Sequence, residues 1–136
     1  MIVADASLIV ALILREDNVA DPVSIYDLLR TTQISVPAHW PAEVANALWM
    51  NKRRGRITAE MASTAAEYLV AFKPRIDAAP SLDRMPALVE FAERERLTVY
   101  DAIYVQLALS NNASLATIDA DVRASAKRLD IPLLPA

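Results

Sequence analysis

Short apolar segments alternating with longer amphipathic ones constrain the fold of this chain more than any other feature. Four apolar runs of three to five residues predict buried strands: residues 1–4, Ile34–Val36, Ser114–Ile118 and Ile131–Leu134. The stretches between them carry apolar residues at helical spacing. Strands that are joined through helices pair in parallel and are covered on both faces. The pattern therefore predicts an α/β fold, a parallel β-sheet with helices on both faces.

Residues that start or stop helices set the predicted helix boundaries. The helices are expected over about residues 6–15, 22–30, 41–55, 58–74, 81–96, 98–109 and 121–129. Gly55, the only glycine, is a natural C-terminal cap for the third helix, and Ser81 is the predicted cap of the fifth. Thr98 and Asp101 resemble a capping box. The helix that follows them is apolar almost all round, which predicts a position in the core.

The composition bounds the size and the chemistry of the protein. A chain of 136 residues is long enough for one hydrophobic core, so we expect a single domain over residues 1–136. The apolar fraction of 54% is high for so small a protein and indicates that a partner or a second copy covers some apolar surface. The absence of cysteine excludes disulfides, zinc–thiolate sites and thiol nucleophiles. Any metal must be held by oxygen or by the single His39.

The N-terminal segment is apolar but lacks the features of a signal peptide. No basic residues precede it, Asp5 interrupts it and no small-residue cleavage site follows. Its longest apolar run, Leu8–Leu14, is too short to span a bilayer, so we expect a cytoplasmic protein that does not enter a membrane. The net charge of −3 argues against a broadly basic surface that coats nucleic acid.

Four acidic residues fall where a parallel sheet binds its ligands. Such sheets bind ligands at the carboxyl ends of their strands, where loops and helix starts converge. Asp5 ends the first strand, Asp119 follows a later strand, and Glu43 and Asp101 stand in the first turns of two helices. Each residue alone is explained by capping or by the helix dipole, which stabilises an acidic group there by about 0.3–1 kcal/mol.

The four acids together point to a metal site. A partly buried cluster of carboxylates is costly unless protons or cations neutralise it. Mg²⁺ and Mn²⁺ prefer oxygen ligands, and such an ion can lower the pKa of a water and stabilise charge on a phosphate. This chemistry needs no cysteine, serine or histidine base. We therefore predict that Asp5, Glu43, Asp101 and Asp119 hold Mg²⁺ or Mn²⁺ for the cleavage of a phosphodiester.

Other polar residues lie at spacings that suit the support of this site. Ser7 and Thr117 each lie two residues from one of the acids, where their hydroxyls can hydrogen-bond a ligand or a water. Asn46 lies three residues after Glu43 and so shares its helix face. Capping and ordinary surface polarity explain all three about as well. Asp121 is a candidate fifth carboxylate that equally suits the cap of the last helix.

Basic and aromatic residues have competing interpretations. Three cations near the end of the Glu43 helix are candidates to bind RNA phosphates: Lys52, Arg53 and Arg54. Cations at a helix C-terminus are also favoured by the dipole. Trp40 and Trp49 are able to stack on bases, yet aromatic residues in so apolar a chain are more often core or interface residues. His39 precedes the same helix and is a candidate for substrate contact, although a lone loop histidine usually has no such role.

These residues in this order resemble the PIN-domain nucleases, most closely the VapC-like toxins of bacterial toxin–antitoxin modules. The resemblance rests on four motifs: Asp5-Ala6-Ser7, Glu43 with Asn46, Tyr100-Asp101-Ala102 and Thr117-Ile118-Asp119. It covers the whole chain, and its motifs are weak individually but fairly specific jointly. It implies that the four acids are the family's acidic positions, with Asn46 and Ser7 or Thr117 as supporting residues.

The resemblance also implies an activity and partners. A VapC-like protein is expected to be a Mg²⁺- or Mn²⁺-dependent endoribonuclease and a homodimer. A cognate antitoxin is expected to inhibit it by laying a helix or an extended segment across the active-site groove. Family members commonly carry glycine where this chain has Asn112 and Asp130. Asn tolerates the left-handed backbone conformation of a helix end and Asp tolerates it less well, so the geometry of these turns is in question.

Two other classes of protein compete with a nuclease. A phosphoryl-receiving signalling domain has similar size and class, but it is expected to show paired acids after the first strand and a late lysine, whereas Asp5 stands alone and Lys127 lies within a predicted helix. A catalytically silent PIN-fold module that binds only protein partners has no evident reason to keep four repelling carboxylates. The single glycine excludes a phosphate-binding loop and a dinucleotide fingerprint.

Overall fold

The computed structural model describes residues 1–136 and contains a five-stranded sheet with seven α-helices. The strands are β1 (Ile2–Ala4), β2 (Ile34–Val36), β3 (Arg75–Ile76), β4 (Ser114–Ala116) and β5 (Leu133–Leu134). The helices are α1 (Ala6–Ile13), α2 (Pro22–Thr31), α3 (Trp40–Arg53), α4 (Ala59–Ala71), α5 (Met85–Glu95), α6 (Val99–Ser110) and α7 (Ala120–Arg128). None of the helices combines the length and the apolar character that crossing a bilayer requires.

All strand pairs are parallel, which confirms the predicted α/β class. The strand order is β3-β2-β1-β4-β5, with Val3 of the central strand opposite Ser35 on one side and Leu115 on the other. The chain therefore builds outward through β2 and β3 and then returns to the other side of β1. This reversal places a ligand-binding crevice at the carboxyl ends of β1 and β4. The order differs from the 2-1-3-4-5 order of the phosphoryl-receiving class.

One hydrophobic core of 33 buried residues surrounds the sheet. Every residue of β1 and β2 is buried, as expected for strands that helices cover on both faces. The prediction that α6 is a core helix is confirmed, because Ala102, Tyr104 and Val105 have no exposed surface and the helix packs on β1 and β4.

Several predicted elements differ from the structure. Strand β4 covers only Ser114–Ala116 of the predicted Ser114–Ile118. Ser81 makes no capping hydrogen bond, and a 3-10 turn at Leu82–Arg84 precedes α5. Pro86 lacks a backbone N–H and suits the first turn of a helix, which explains why α5 begins there. The short edge strand β3 was not predicted, because its two residues are exposed and carry no periodic signal. The last strand covers only Leu133–Leu134 of the predicted Ile131–Leu134.

The turns at Asn112 and Asp130, where the resemblance implies glycine, have left-handed geometry. Asn112 has a φ of 46° and Asp130 a φ of 54°. Gly55 follows α3 with a φ of 71°, as its predicted capping role requires. Four further residues other than glycine have positive φ: Arg15, Asp21, Lys73 and Arg96. These positions cost conformational energy because the side chain crowds the backbone there.

Candidate active site

The four predicted acids line one cavity of about 410 Å³, into which Glu16 also faces. Each belongs to the start of a different helix. Asp5 is the N-cap of α1, Asp119 is the N-cap of α7, and Glu43 and Asp101 lie in the first turns of α3 and α6. Four helix N-termini, which carry partial positive charge, therefore surround the carboxylates.

Asp5 is held in place by hydroxyl groups. It is 5% exposed, and its Oδ2 accepts hydrogen bonds from Ser7 Oγ at 2.7 Å and from Thr117 Oγ1 at 2.5 Å. Its Oδ1 accepts the Ser7 backbone N–H at 3.3 Å. Thr117 Oγ1 also accepts the backbone N–H of Asp119 at 3.0 Å. The fully buried Thr117 therefore links two of the acids.

Asp119 caps α7 and keeps one oxygen free of protein donors. Its Oδ1 accepts the backbone N–H groups of Asp121 and Val122, both at 2.9 Å, while no protein group donates to its Oδ2. Asp121, the candidate fifth carboxylate, is exposed and does not line the cavity. The capping role and a metal-binding role are compatible because they use different oxygens of Asp119.

Thr98 caps α6 as predicted, but the reciprocal bond of a capping box is missing, because the Asp101 carboxylate accepts from the Thr98 hydroxyl and not from the Thr98 backbone N–H. Thr98 Oγ1 donates to Asp101 Oδ2 at 2.8 Å and accepts the Asp101 backbone N–H at 3.1 Å. Burial raises the pKa of Asp101, and the charges of Asp119, Asp5 and Asp121 raise it further, while the Thr98 hydrogen bond opposes them. The mutual repulsion expected from the sequence is therefore present at this carboxyl.

Glu43 faces the other acids and has its own partners. Tyr104 donates its hydroxyl to Glu43 Oε2 at 2.7 Å, and His39 Nε2 lies 3.3 Å from Oε1. Burial raises the pKa of Glu43; the Tyr104 hydrogen bond and His39 lower it, and the charges of Asp5 and Asp101 raise it again. The net effect is a raised pKa.

Sequence reasoning missed Tyr104 and gave too little weight to His39. Tyr104 was assigned only to the core helix, and its ring is fully buried while its hydroxyl reaches Glu43. The available signal was a polar-tipped ring three residues after Asp101 in an otherwise apolar helix, since a buried tyrosine hydroxyl needs a partner. His39 packs edge-on against the rings of Tyr100 and Tyr104, with centroids 5.4 and 5.3 Å apart.

Other candidate residues lie away from the cavity. Asn46 is exposed and makes no side-chain hydrogen bond, and it does not line the cavity. The cations at the end of α3 begin at Lys52, about 14 Å along the helix axis from Glu43 at 1.5 Å per residue. Trp40 is a core residue, whereas Trp49 is 54% exposed. Roles for Asn46, Lys52, Arg53 and Arg54 in the site stay predictions.

The donor atoms at this cavity suit a hydrated hard cation. No three His, Asp or Glu side chains are arranged as a ready ligand set for one ion. However, Asp101 and Asp119 each use one oxygen within the protein and keep the other free. Mg²⁺ typically binds through one or two carboxylates and retains several waters. The chemistry of the site therefore fits Mg²⁺ or Mn²⁺, while coordination shared by all four acids stays a prediction.

Comparisons with known proteins agree with this architecture. Residues 2–129 match the PIN domain. Ribonuclease VapC3 of Pyrobaculum aerophilum is 32% identical over 121 residues, which cover 87% of this chain and 88% of that protein. The crystal structure of PAE2754 from Pyrobaculum aerophilum is similar with a TM-score of 0.73 and 24% identity, covering 98% of this chain and 83% of that chain. This structural similarity supports the fold.

Proposed function

Because this chain belongs to the PIN-domain family, we propose that it is a Mg²⁺- or Mn²⁺-dependent endoribonuclease and the toxin of a toxin–antitoxin pair. The observation that carries the proposal is the convergence of Asp5, Glu43, Asp101 and Asp119 on one cavity at the carboxyl ends of β1 and β4. The 32% identity to a protein named as a ribonuclease supports the same reaction. Residues 1–136 act in this proposal as one nuclease domain.

The acids have different tasks in the proposed reaction. When bound, Mg²⁺ or Mn²⁺ supplies positive charge that stabilises the attacked phosphate and lowers the pKa of a water. Asp5 is the most rigidly oriented candidate ligand because Ser7 and Thr117 hold both of its oxygens. Asp101 and Asp119 offer their free oxygens. Glu43 lines the same cavity and accepts a proton from the attacking water as a general base.

An apolar groove beside the cavity supports binding of the antitoxin. The groove has a volume of about 690 Å³ and is formed mainly by the end of α1, the start of α2 and Tyr68 of α4. Glu16 lines both the groove and the catalytic cavity. A helix or extended segment of the antitoxin seated in the groove thus reaches the acids and blocks RNA.

Exposed apolar side chains support the proposed homodimer. Leu82 lies just before α5, and Met85 and Val89 lie in its first two turns; they are 83%, 51% and 55% exposed. Light scattering of the purified protein tests this part of the proposal, and replacing Leu82 and Val89 by polar residues should yield a monomer. We place the protein in the cytoplasm, where cellular RNA is available.

RNA cleavage by the purified protein, freed from any antitoxin, tests the proposed reaction. Cleavage should occur with Mg²⁺ or Mn²⁺ and stop in excess chelator. Asp101→Asn should abolish cleavage with little loss of fold. Asp27→Asn is the matched control, because this exposed aspartate lies on α2 away from the cavity. Cleavage that persists in chelator or in Asp101→Asn would contradict the mechanism. A folded protein that binds antitoxin but never cuts RNA would instead be the silent module.

A further inference from the structure

Thr117 makes hydrogen bonds to both Asp5 and Asp119, and each of its polar groups has a hydrogen-bond partner. Its hydroxyl contacts Asp5 and Asp119 as described above, and its backbone N–H donates to the Leu134 carbonyl at 3.0 Å. Its carbonyl accepts a hydrogen bond from Arg123 Nη1 at 3.0 Å. The position of the bridging hydroxyl therefore depends on how firmly the backbone of Thr117 is held.

Arg123 holds that backbone from outside the cavity. The same Nη1 that binds the Thr117 carbonyl also donates to the Pro135 carbonyl at 3.0 Å. Both carbonyls lie just past the last paired residues of β4 and β5, Ala116 and Leu134. The guanidinium thus joins the two strands where the sheet ladder ends.

The backbone of Arg123 also makes a hydrogen bond to a residue of the site. Its N–H donates to the Asp119 carbonyl at 3.0 Å, so Arg123 contacts the residues on both sides of Ile118. Leu134 and Pro135 lie beyond residue 129, where the match to the PIN domain ends.

We infer that Arg123 is a positioning residue: it ties Thr117 to the C-terminal strand and so keeps the Thr117 hydroxyl between Asp5 and Asp119. The expected effect of Arg123 on metal binding rests on the proposed function. The placement of the Thr117 hydroxyl by Arg123 does not depend on it. Arg123 itself does not line the cavity and acts through Thr117.

The direction in which an Arg123 substitution changes the affinity for Mn²⁺ distinguishes a positioning role of Arg123 from a purely electrostatic one. Removing a positive charge near a cation site by itself strengthens Mn²⁺ binding, because like charges repel. If Arg123 positions Thr117, its replacement instead weakens Mn²⁺ binding, because the Thr117 hydroxyl is no longer held between Asp5 and Asp119. Arg123→Gln should raise the Kd for Mn²⁺ about tenfold, the lower end of the range for residues that orient metal ligands. Arg123→Lys keeps the charge and a donor nitrogen but not the rigid guanidinium that directs Nη1 at both carbonyls, so its Kd should also rise, by less.

The test combines Mn²⁺ titration with hydrogen exchange of the metal-free protein. The backbone N–H of Asp119, which donates to Thr117 Oγ1, should exchange faster in Arg123→Gln than in wild type. In the Thr117→Val background, Arg123→Gln should change the Mn²⁺ Kd no further. Arg128→Gln is the matched control, because Arg128 lies on the same helix and binds the Glu95 carbonyl and carboxylate away from the cavity. It should leave both measurements unchanged.

Four results decide the role of Arg123. Unchanged or tighter Mn²⁺ binding in Arg123→Gln, with unchanged exchange at Asp119, overturns the inference. Equal effects of Arg123→Gln and Arg128→Gln on exchange at Asp119 also overturn it, because they would reflect general loosening of α7. If the wild type binds no Mn²⁺, the proposed function fails, and exchange at Asp119 alone decides the role of Arg123. If Arg123→Gln does not fold, Arg123→Lys supplies both measurements.

Discussion

Replacing Tyr104 by phenylalanine removes one hydrogen bond and leaves the packing of a fully buried ring intact. The bond that disappears joins the Tyr104 hydroxyl to Glu43 Oε2 at 2.7 Å. A hydrogen bond to a charged group contributes about 1.5–3 kcal/mol to stability. The Glu43 side chain is 32% exposed, so water partly replaces the hydroxyl. We therefore expect a decrease of about 1–2 kcal/mol in the free energy of unfolding at pH 7.

The size of this decrease should depend on pH. The Tyr104 hydrogen bond lowers the pKa of Glu43, so its removal raises a pKa that is already above the ordinary value of 4.5. A bond to the carboxylate is stronger than one to the neutral acid. The destabilisation by Tyr104→Phe should therefore be full near neutral pH and shrink as the pH falls through the pKa of Glu43.

Urea unfolding at several pH values, in chelator, measures the effect. Tyr100→Phe is a close control, because Tyr100 lies on the same helix and contacts the same histidine ring, while its hydroxyl makes no hydrogen bond within the protein. That variant should be nearly neutral at every pH. Equal destabilisation in the two variants, or a Tyr104→Phe effect that does not change with pH, would refute the reasoning.

Three other perturbations test the site and its surroundings. The raised pKa of Asp101 means that its contribution to stability is full below its ordinary value of 3.8 and declines as the pH rises through the folded-state pKa. Chelator-treated Asp101→Asn should therefore gain stability relative to wild type as the pH rises above that ordinary value, and a constant difference would contradict this. Arg96→Gly should raise the free energy of unfolding by about 0.5–1 kcal/mol, because exposed Arg96 has a φ of 59°; urea unfolding that shows a decrease would contradict it. Replacing Arg53 and Arg54 by glutamine should make the plot of log RNA affinity against log salt concentration less steep. The slope should fall by roughly 0.7 for each phosphate that loses its contact with a cation. An unchanged slope would mean that both residues are only solvated at the end of the helix.

Local sequence signals predicted most of the fold. Strands β1, β2 and β4 and all seven helices lie where apolar periodicity and caps indicated them. Thr98 caps α6 through its side chain, as its position suggested, and Thr58 caps α4 in the same way. The predictions that were wrong or missing concern short or exposed elements. Edge strand β3 has two exposed residues, so it leaves no pattern to detect, and its existence depends on pairing with β2.

The sequence by itself determined that the chain forms a parallel α/β sheet and that four acids stand at strand ends and helix starts. These properties follow from periodicity and capping, which act between residues close in the chain. Only the tertiary structure decided the partners of those acids. Tyr104 meets Glu43 across 61 positions, and Thr117 meets Asp5 across 112. Such contacts depend on how helices pack against the sheet, and no local pattern encodes that packing. The hydrogen bonds of Tyr104 to Glu43, of Thr117 to Asp5 and of Arg123 to the Thr117 carbonyl therefore became visible only in the folded molecule.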